Sequence, residues 1–362
     1  MGIDLAVKKA LQFIKSEQQE SGIFFSVAGE SLNCTNELLE DFSDGESKAW
    51  TYLDQYSVFP TLLIGNALKH IKSGNESEVV LSRIDDFLLR ERHKLFWVWN
   101  HFVPNHRLYK MNPYDIDSTV VALDYLQDRG KLPPKSKQRA LNLLMDQINE
   151  HGLFFTFYTF RGSLNCSCRS WILFLRELRA PLSTRVFWKI VEADRRDVDG
   201  VVNINVLHYL GRFAGSDKVI KYLRQKLMEG NELQFDKWYK TTSVVYYFGS
   251  RLNHQKYAEL EVVFLRWKEE LIRMVRSQEL SQLHDLDLAL MAVSMINLDL
   301  DQKYVSPCIE RLLEVQQSTG NWKKKAFYFG GPKKIMGWGS DALTTAVCIE
   351  ALTKYGNKFG IN

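Results

Sequence analysis

Cysteine is scarce in this chain and odd in number: Cys34, Cys166, Cys168, Cys308 and Cys348, with no Cys-x-x-Cys spacing. That fits reduced thiols better than a disulfide frame or a structural zinc site. Long apolar runs are missing too, so no segment reads as a membrane span. Asp4, Lys8 and Lys9 break the stretch where a secretory leader would need unbroken apolar residues. An excess of one charge is also lacking. The 47 basic and 43 acidic residues leave a net +4, too small and scattered to recruit nucleic acid. A cytoplasmic location is the expectation these absences leave. What remains is globular material, 25% charged and 12% aromatic over 362 residues, with ample core.

The organisation lies in a repeat. An amphipathic helix opens the chain, with Ile3, Leu5, Ala6, Ala10, Leu11, Phe13 and Ile14 on one side. It stops near Gln18-Gln19-Glu20-Ser21-Gly22, and a more apolar helix runs from about Ser57 to His70. The same alternation returns. Charged helices at about 78–92, 135–149, 216–229, 257–276 and 304–317 precede apolar segments beginning near Asp115, Val201, Thr241, Leu288 and Asp341. About six pairs result, with a period of roughly 42 to 60 residues, and the third pair carries an insertion. The amphipathic member of each pair belongs outside with its charged face in water, and the apolar member inside. The predicted fold is therefore all-α: an (α/α)6 barrel, or toroid, forming a single domain over residues 1–362. Ring closure leaves no apolar end exposed, whereas an open solenoid would need polar capping repeats that the sequence lacks.

Inner helices of such a ring run the same way, which brings Asp115/Asp117, Asp197/Asp199, Asp285/Asp287 and Asp341 toward one mouth. The densest start is Asn112-Pro113-Tyr114-Asp115-Ile116-Asp117-Ser118-Thr119. Pro113 biases Asn112 toward extended backbone, and the short oxygen-bearing side chains after it cap free N–H groups. Capping alone would account for these acids. Yet like charges in a desolvated mouth raise one another's pKa, and a carboxyl kept protonated there can act as a general acid. His208, inside an inner helix, is a candidate hydrogen-bond partner for that acid.

Two motifs carry a resemblance. With the six pairs, Gln316-x-x-x-Gly320-x-Trp322 and Asp115-Ile116-Asp117-Ser118-Thr119 make the chain similar to the squalene-hopene cyclase, class II terpene cyclase and protein prenyltransferase superfamily. The first resembles that family's Gln–Trp motif, with weaker relics at Gln18-x-x-x-Gly22-x-Phe24 and at Gly152 with Phe154. The second resembles its Asp-x-Asp-Asp-Thr motif, whose middle Asp protonates a terminal alkene or epoxide. The resemblance implies Asp117 as the general acid and Asp115 as its support, with Ser118 in place of a third acid. That last position departs from the pattern; some drimane-forming cyclases, including drimenyl diphosphate synthase-like ones, are similar in carrying a small hydroxyl residue there. A protein prenyltransferase zinc set is not apparent, and Asp85-Asp86-Phe87-Leu88-Leu89 lacks the third acid of an ionising Asp-Asp-x-x-Asp motif.

The implied reaction is protonation-initiated cyclisation of a linear C15 or C20 prenyl diphosphate to a drimane-type bicycle. Such chemistry requires a dry cavity with aromatic faces to steady the cation. Trp97, Trp99, Tyr114, Trp238, Tyr246 and Trp338 are the aromatic candidates for contacting substrate. Lys323, Lys324, Lys333 and Lys334 are candidates to hold the diphosphate, and Glu37, Glu40 and Asp41 to hold Mg²⁺ beside it. Because related two-barrel enzymes enclose substrate between domains, a single barrel needs a lid, expected from residues 30–47 or 160–195. Two other readings stand beside this one: a non-catalytic toroid that binds a prenyl chain or a protein, and an (α/α)6 carbohydrate-active enzyme with mouth carboxylates.

Overall fold

The repeat unit is a helix pair, and the chain's hydrophobic pattern decides which member faces in. In chain order the elements are α1 (Ile3–Glu17) and α2 (Phe59–Leu68), α3 (Asn75–Glu91) and α4 (Ile116–Asp128), then α5 (Pro134–Met145). Two inserted helices, α6 (Ser170–Leu178) and α7 (Pro181–Ile190), separate α5 from its partner α8 (Gly200–Leu210). Next come α9 (Ser216–Met228), the short α10 (Glu232–Phe235) and α11 (Thr242–Ser250), followed by α12 (Glu261–Arg276) with α13 (Asp285–Asn297) and α14 (Gln302–Val315) with α15 (Asp341–Phe359). The structure is a computed structural model describing residues 2–30, 52–71, 74–106, 108–161, 170–230, 232–277, 279–330 and 336–361. Glu37, Glu40, Asp41, Lys333 and Lys334 lie outside the described residues. No described helix is long and apolar enough to cross a membrane.

Every residue of α2 is buried, as is α13 from Leu286 to Asn297. An outer helix such as α12 buries only a stripe, Val263, Phe264, Trp267 and Leu271, spaced at three and four residues as an amphipathic surface helix requires. The inner helices touch in the closed order α2, α4, α8, α11, α13, α15 and back to α2. The architecture is thus an all-α toroid.

Matching turns fasten the outer layer. Gln316 Nε2 donates to Ala6 O of α1 at 2.9 Å, and Gln18 Nε2 donates to Val80 O of α3 at 3.0 Å. Four residues on, Gly320 (φ +94°) and Gly22 (φ +90°) pass so close to those neighbours that an added Cβ would sit 2.6 Å from Lys9 O and 2.2 Å from Arg83 O. Positive φ and close backbone approach both call for glycine. The aromatic that follows donates its backbone N–H into the next inner helix: Trp322 to Thr345 Oγ1, Phe24 to Thr61 Oγ1, and Phe154 to Asn203 Oδ1.

A feature absent from the sequence reading sits beside the inner-helix amino termini. Strands β1 (Ser26–Glu30), β2 (Tyr52–Asp54), β3 (Tyr114–Asp115), β4 (Phe157–Tyr158), β5 (Tyr328–Gly330) and β6 (Met336–Gly339) form an antiparallel sheet ordered β2-β1-β6-β5 and a separate β3–β4 ladder. β6 runs straight into α15 and β3 into α4, so these strands frame the mouth of the ring.

Candidate active site

Asp115 ends β3 in extended backbone (φ −113°, ψ 151°) and caps α4, its Oδ1 accepting the Ser118 N–H at 2.6 Å. Thr119 Oγ1 donates back to Asp115 O at 2.8 Å, closing the first turn. The approach to this turn is clamped as well. Arg176 of α6 donates to the carbonyls of Tyr109 and Asn112, and Asn100 Nδ2 donates to Asn112 O at 2.7 Å. Asp115, Asp117 and Ser118 consequently sit on the wall of a cavity of about 450 Å³, within the 300–1,000 Å³ range usual for ligand sites.

The rest of that wall is mostly apolar. Phe59, Phe102, Phe157, Trp238, Tyr328 and Trp338 supply aromatic faces, and Phe187, Ile190 and Val191 bring α7 and the residue after it into contact with the space. The inserted helix α7 therefore contributes to the cavity wall, and it falls within residues 160–195, where a lid is expected. Tyr328 and Trp338, cross-strand partners on β5 and β6, stack at 5.6 Å and 5°.

Both acids are buried. Asp117 accepts from Asn205 Nδ2 at 2.5 Å through Oδ1 and from the Tyr239 hydroxyl through Oδ2. Asn205 Oδ1 in turn accepts from Arg251. One carboxylate sets both donors in place: Asp236 accepts the backbone N–H groups of Trp238 and Tyr239 and that of Val201, at the start of the helix carrying Asn205. Asp115 Oδ2 and Ser118 Oγ, by contrast, are buried with no hydrogen-bond partner.

These surroundings raise both pKa values. Burial lifts Asp115 from its ordinary 3.8 to about 7, opposed by the Ser118 N–H and reinforced by the charge of Asp117. Burial lifts Asp117 to about 6; Tyr239 and Asn205 pull it down, Asp199 pushes it up, and Arg251 again pulls it down. A carboxyl in an apolar hollow avoids the cost of a desolvated charge by keeping its proton.

The remaining acid-led helix starts are committed to neighbours. Asp197 accepts Thr156 Oγ1 at 2.7 Å and pairs with Lys237, while Asp199 caps α8. Asp285 accepts the Lys323 N–H, Asp341 accepts the Lys324 N–H, and Asp287 pairs with Lys325 and accepts Ser243. The Lys323–Lys324 backbone is thus tied to the first turns of α13 and α15, and neither lysine is among the residues that line the cavity. Among the described lining residues there is no lysine or arginine.

Four aromatic expectations are corrected, each for a structural reason. Trp99 donates its backbone N–H to Thr119 Oγ1 and its indole N–H to Leu88 O, the same two-ended bond that Trp322 makes with Thr345 and Leu312. It is the second repeat's fastening indole. Trp97 packs edge-on against it, under Arg92. Tyr114 precedes Asp115 on a strand, where successive side chains point to opposite faces, and lies beneath the Arg176 guanidinium at 4.5 Å. Tyr246 projects to the outer layer against Trp267. Trp238 and Trp338 do line the cavity. His208 does not reach the acid; Asn205, about one turn earlier on α8, holds that place. Tyr239, Asn205 and Arg251 lie 88 to 134 positions from Asp117 in sequence, so no local motif announces them.

No family model matches the chain, and no curated protein matches it by sequence. Solved structures do. The type II terpene cyclase MstE from Scytonema superposes with a TM-score of 0.65 at 14% identity, over 98% of this chain and 99% of that one. An MstE variant in complex with geranylgeranyl dihydroxybenzoate gives 0.64 at 14% identity, over 98% and 97%. A protein from Actinoplanes gives 0.69 at 13% identity, over 98% and 99%. At this identity the likeness is one of fold, and along nearly its whole length this chain has the fold of type II terpene cyclases.

Proposed function

We propose that this chain is a class II terpene cyclase acting on a linear prenyl substrate. The observation that carries the reading is Asp117: a buried carboxyl with a raised pKa, opening onto an apolar, aromatic-walled cavity. The terminal alkene of a folded prenyl chain, seated against Asp117, takes the proton from Oδ2. The π pair forms the new C–H bond and leaves a tertiary cation, and Tyr239 and Asn205 stabilise the carboxylate left behind. Internal alkenes then attack in turn, while Phe59, Phe102, Phe157, Trp238, Tyr328 and Trp338 present π-faces to the migrating charge. Asp115, whose pKa burial lifts to about 7, supports the turn and adds no second negative charge in the acid range where Asp117 holds its proton.

Two kinds of head group are compatible with a linear prenyl substrate. A C15 or C20 diphosphate giving a drimane-type bicycle is one, with Lys333, Lys334 and Mg²⁺ on Glu37, Glu40 and Asp41 as its proposed holders. Among the described residues no cluster of three metal-ligating side chains occurs. The other is a prenyl chain on a less densely charged head, as in the prenylated dihydroxybenzoate named for MstE. Farnesyl and geranylgeranyl diphosphates with Mg²⁺, and geranylgeranyl dihydroxybenzoate without it, would be incubated with the purified protein and the extracts read by mass spectrometry. A cyclic isomer that disappears in Asp117→Asn supports the cyclase. Binding without turnover of any of the three supports a non-catalytic prenyl-binding toroid.

A further inference from the structure

A cyclisation that begins with a proton gained must end with one lost, and the cavity wall carries two histidines besides the acids, His101 and His106. His106 stacks on Phe102 at 4.1 Å, whereas His101 is backed by polar partners. Its ring lies 4.7 Å from Phe102, 5.4 Å from Tyr328 and 6.2 Å from Phe59, measured between centroids. Behind it stands a short polar line. Ser57 Oγ donates to Asp54 Oδ2 at 2.5 Å and lies 3.3 Å from His101 Nε2. Asp54 also accepts the Tyr56 N–H and the Trp338 indole N–H, both at 2.9 Å.

Two hydroxyls face Nε2: Ser57 Oγ at 3.3 Å and Tyr328 Oη at 3.5 Å. The single Ser57 hydrogen is given to Asp54, so the nearer hydroxyl bonds the imidazole only as an acceptor. The tautomer that satisfies Ser57 has its N–H on Nε2, with Tyr328 Oη a second acceptor beside it, and leaves the Nδ1 lone pair free. This order is not that of a hydrolase, in which the serine hydrogen faces the histidine and the carboxylate lies beyond it. Burial, opposed by Asp54 and reinforced by His106, holds the imidazole down at about 4, so the ring is neutral near pH 7.

We propose that His101 is the terminal base of the cyclisation. Nδ1 removes a proton from a carbon next to the final cationic centre; that C–H pair becomes the π bond of the product alkene, and the positive charge passes to the imidazole. The imidazolium is steadied through its Nε2–H by Ser57 and, behind it, by the Asp54 carboxylate, and by the faces of the aromatics around it. One proton enters at Asp117 and one leaves at His101, so the substrate is isomerised with no other reagent consumed. Ser57 and Asp54 are positioning residues.

The inference rests on the cyclase reading, and one experiment separates the two. Wild type, His101→Leu and Ser57→Ala would be given the prenyl substrate that turns over, with products resolved by gas chromatography and mass spectrometry and folding checked by thermal melting. The expected result is continued substrate consumption by His101→Leu with at least about a tenfold fall in the ratio of the native alkene to hydroxylated or shifted-alkene products. Ser57→Ala should move the ratio the same way by less. Unchanged ratios in a folded His101→Leu, loss of all consumption by it, or a wild-type product that already carries a hydroxyl would each overturn His101 as the base while leaving the cyclase standing. No cyclic product from wild type would overturn both.

Discussion

Arg251 donates to Oδ1 of Asn205 and so decides which end of that amide meets Asp117. A guanidinium has donors only, which turns the amide oxygen toward it and leaves Nδ2 to donate to Asp117 Oδ1. The transferable proton is thereby confined to Oδ2, the oxygen that Tyr239 reaches. Arg251→Met frees the amide to rotate and present its oxygen to the acid. The expected outcome is a fall in kcat of about 10- to 100-fold, the worth of one charge-assisted hydrogen bond, with KM unchanged and partial recovery in Arg251→Lys. A larger change in KM than in kcat would remove Arg251 from this role.

The proposed reaction needs Asp117 protonated, and burial lifts its pKa to about 6. For a carboxyl that must carry its proton, kcat/KM should rise as pH falls through 6 and level off below. Tyr239→Phe removes a hydrogen bond that favours the carboxylate, so the limb moves to higher pH. The plateau nevertheless drops, because the conjugate base loses a donor when the proton leaves. Initial rates from pH 5 to 9 test both points. A limb that moves to lower pH contradicts the assignment of Tyr239.

Much of this arrangement was legible because it depends on local periodicity. The alternation of amphipathic and apolar helices gives the toroid, and a proline followed by short oxygen-bearing residues gives the capped start of α4. What stayed hidden depends on long separations. Asn205 looks like any polar residue in an apolar helix, and its purpose appears only when α8 packs beside α4. The Trp99 repeat lacks the Gln-x-x-x-Gly spacing that marks a fastening indole in sequence, although Thr119 of α4 takes the Trp99 N–H as Thr345 of α15 takes that of Trp322. The four-stranded sheet leaves little sequence signal, since its strands are three to five residues long, three of them carry glycine, and β1 pairs with β6 from the other end of the chain.

Burial of Asp115 has a consequence for stability. A carboxyl whose folded pKa is raised loses stability as pH climbs from its unfolded value to its folded one. The cost is absent below about pH 3.8 and complete above about pH 7. At about 1.36 kcal/mol per pH unit between those values it is on the order of 4 kcal/mol. Asp115→Asn keeps an Oδ1 acceptor for the Ser118 N–H while removing the charge. It should melt higher than wild type at pH 8 and converge with it near pH 4. Equal melting temperatures at both pH values would show that Asp115 carries no such penalty.

Ring closure predicts a sharper contrast between two glycines. Gly320 and Gly130 both lie at positive φ, at +94° and +65°. An alanine Cβ at Gly320 would meet Lys9 O of α1 at 2.6 Å, whereas at Gly130 it would meet nothing within 4 Å. Both substitutions incur the left-handed strain of about 1–2 kcal/mol. Only the first also pushes α1 away from the turn, stretching the Gln316 bond to Ala6 that joins the last repeat to the first. Gly320→Ala should therefore destabilise by about 2–4 kcal/mol, a range typical of forced backbone displacement, and Gly130→Ala by about half that or less. Urea midpoints for the pair decide it. If the two variants unfold alike, then the contact between Gly320 and α1 yields without cost, and closure of the ring is held elsewhere.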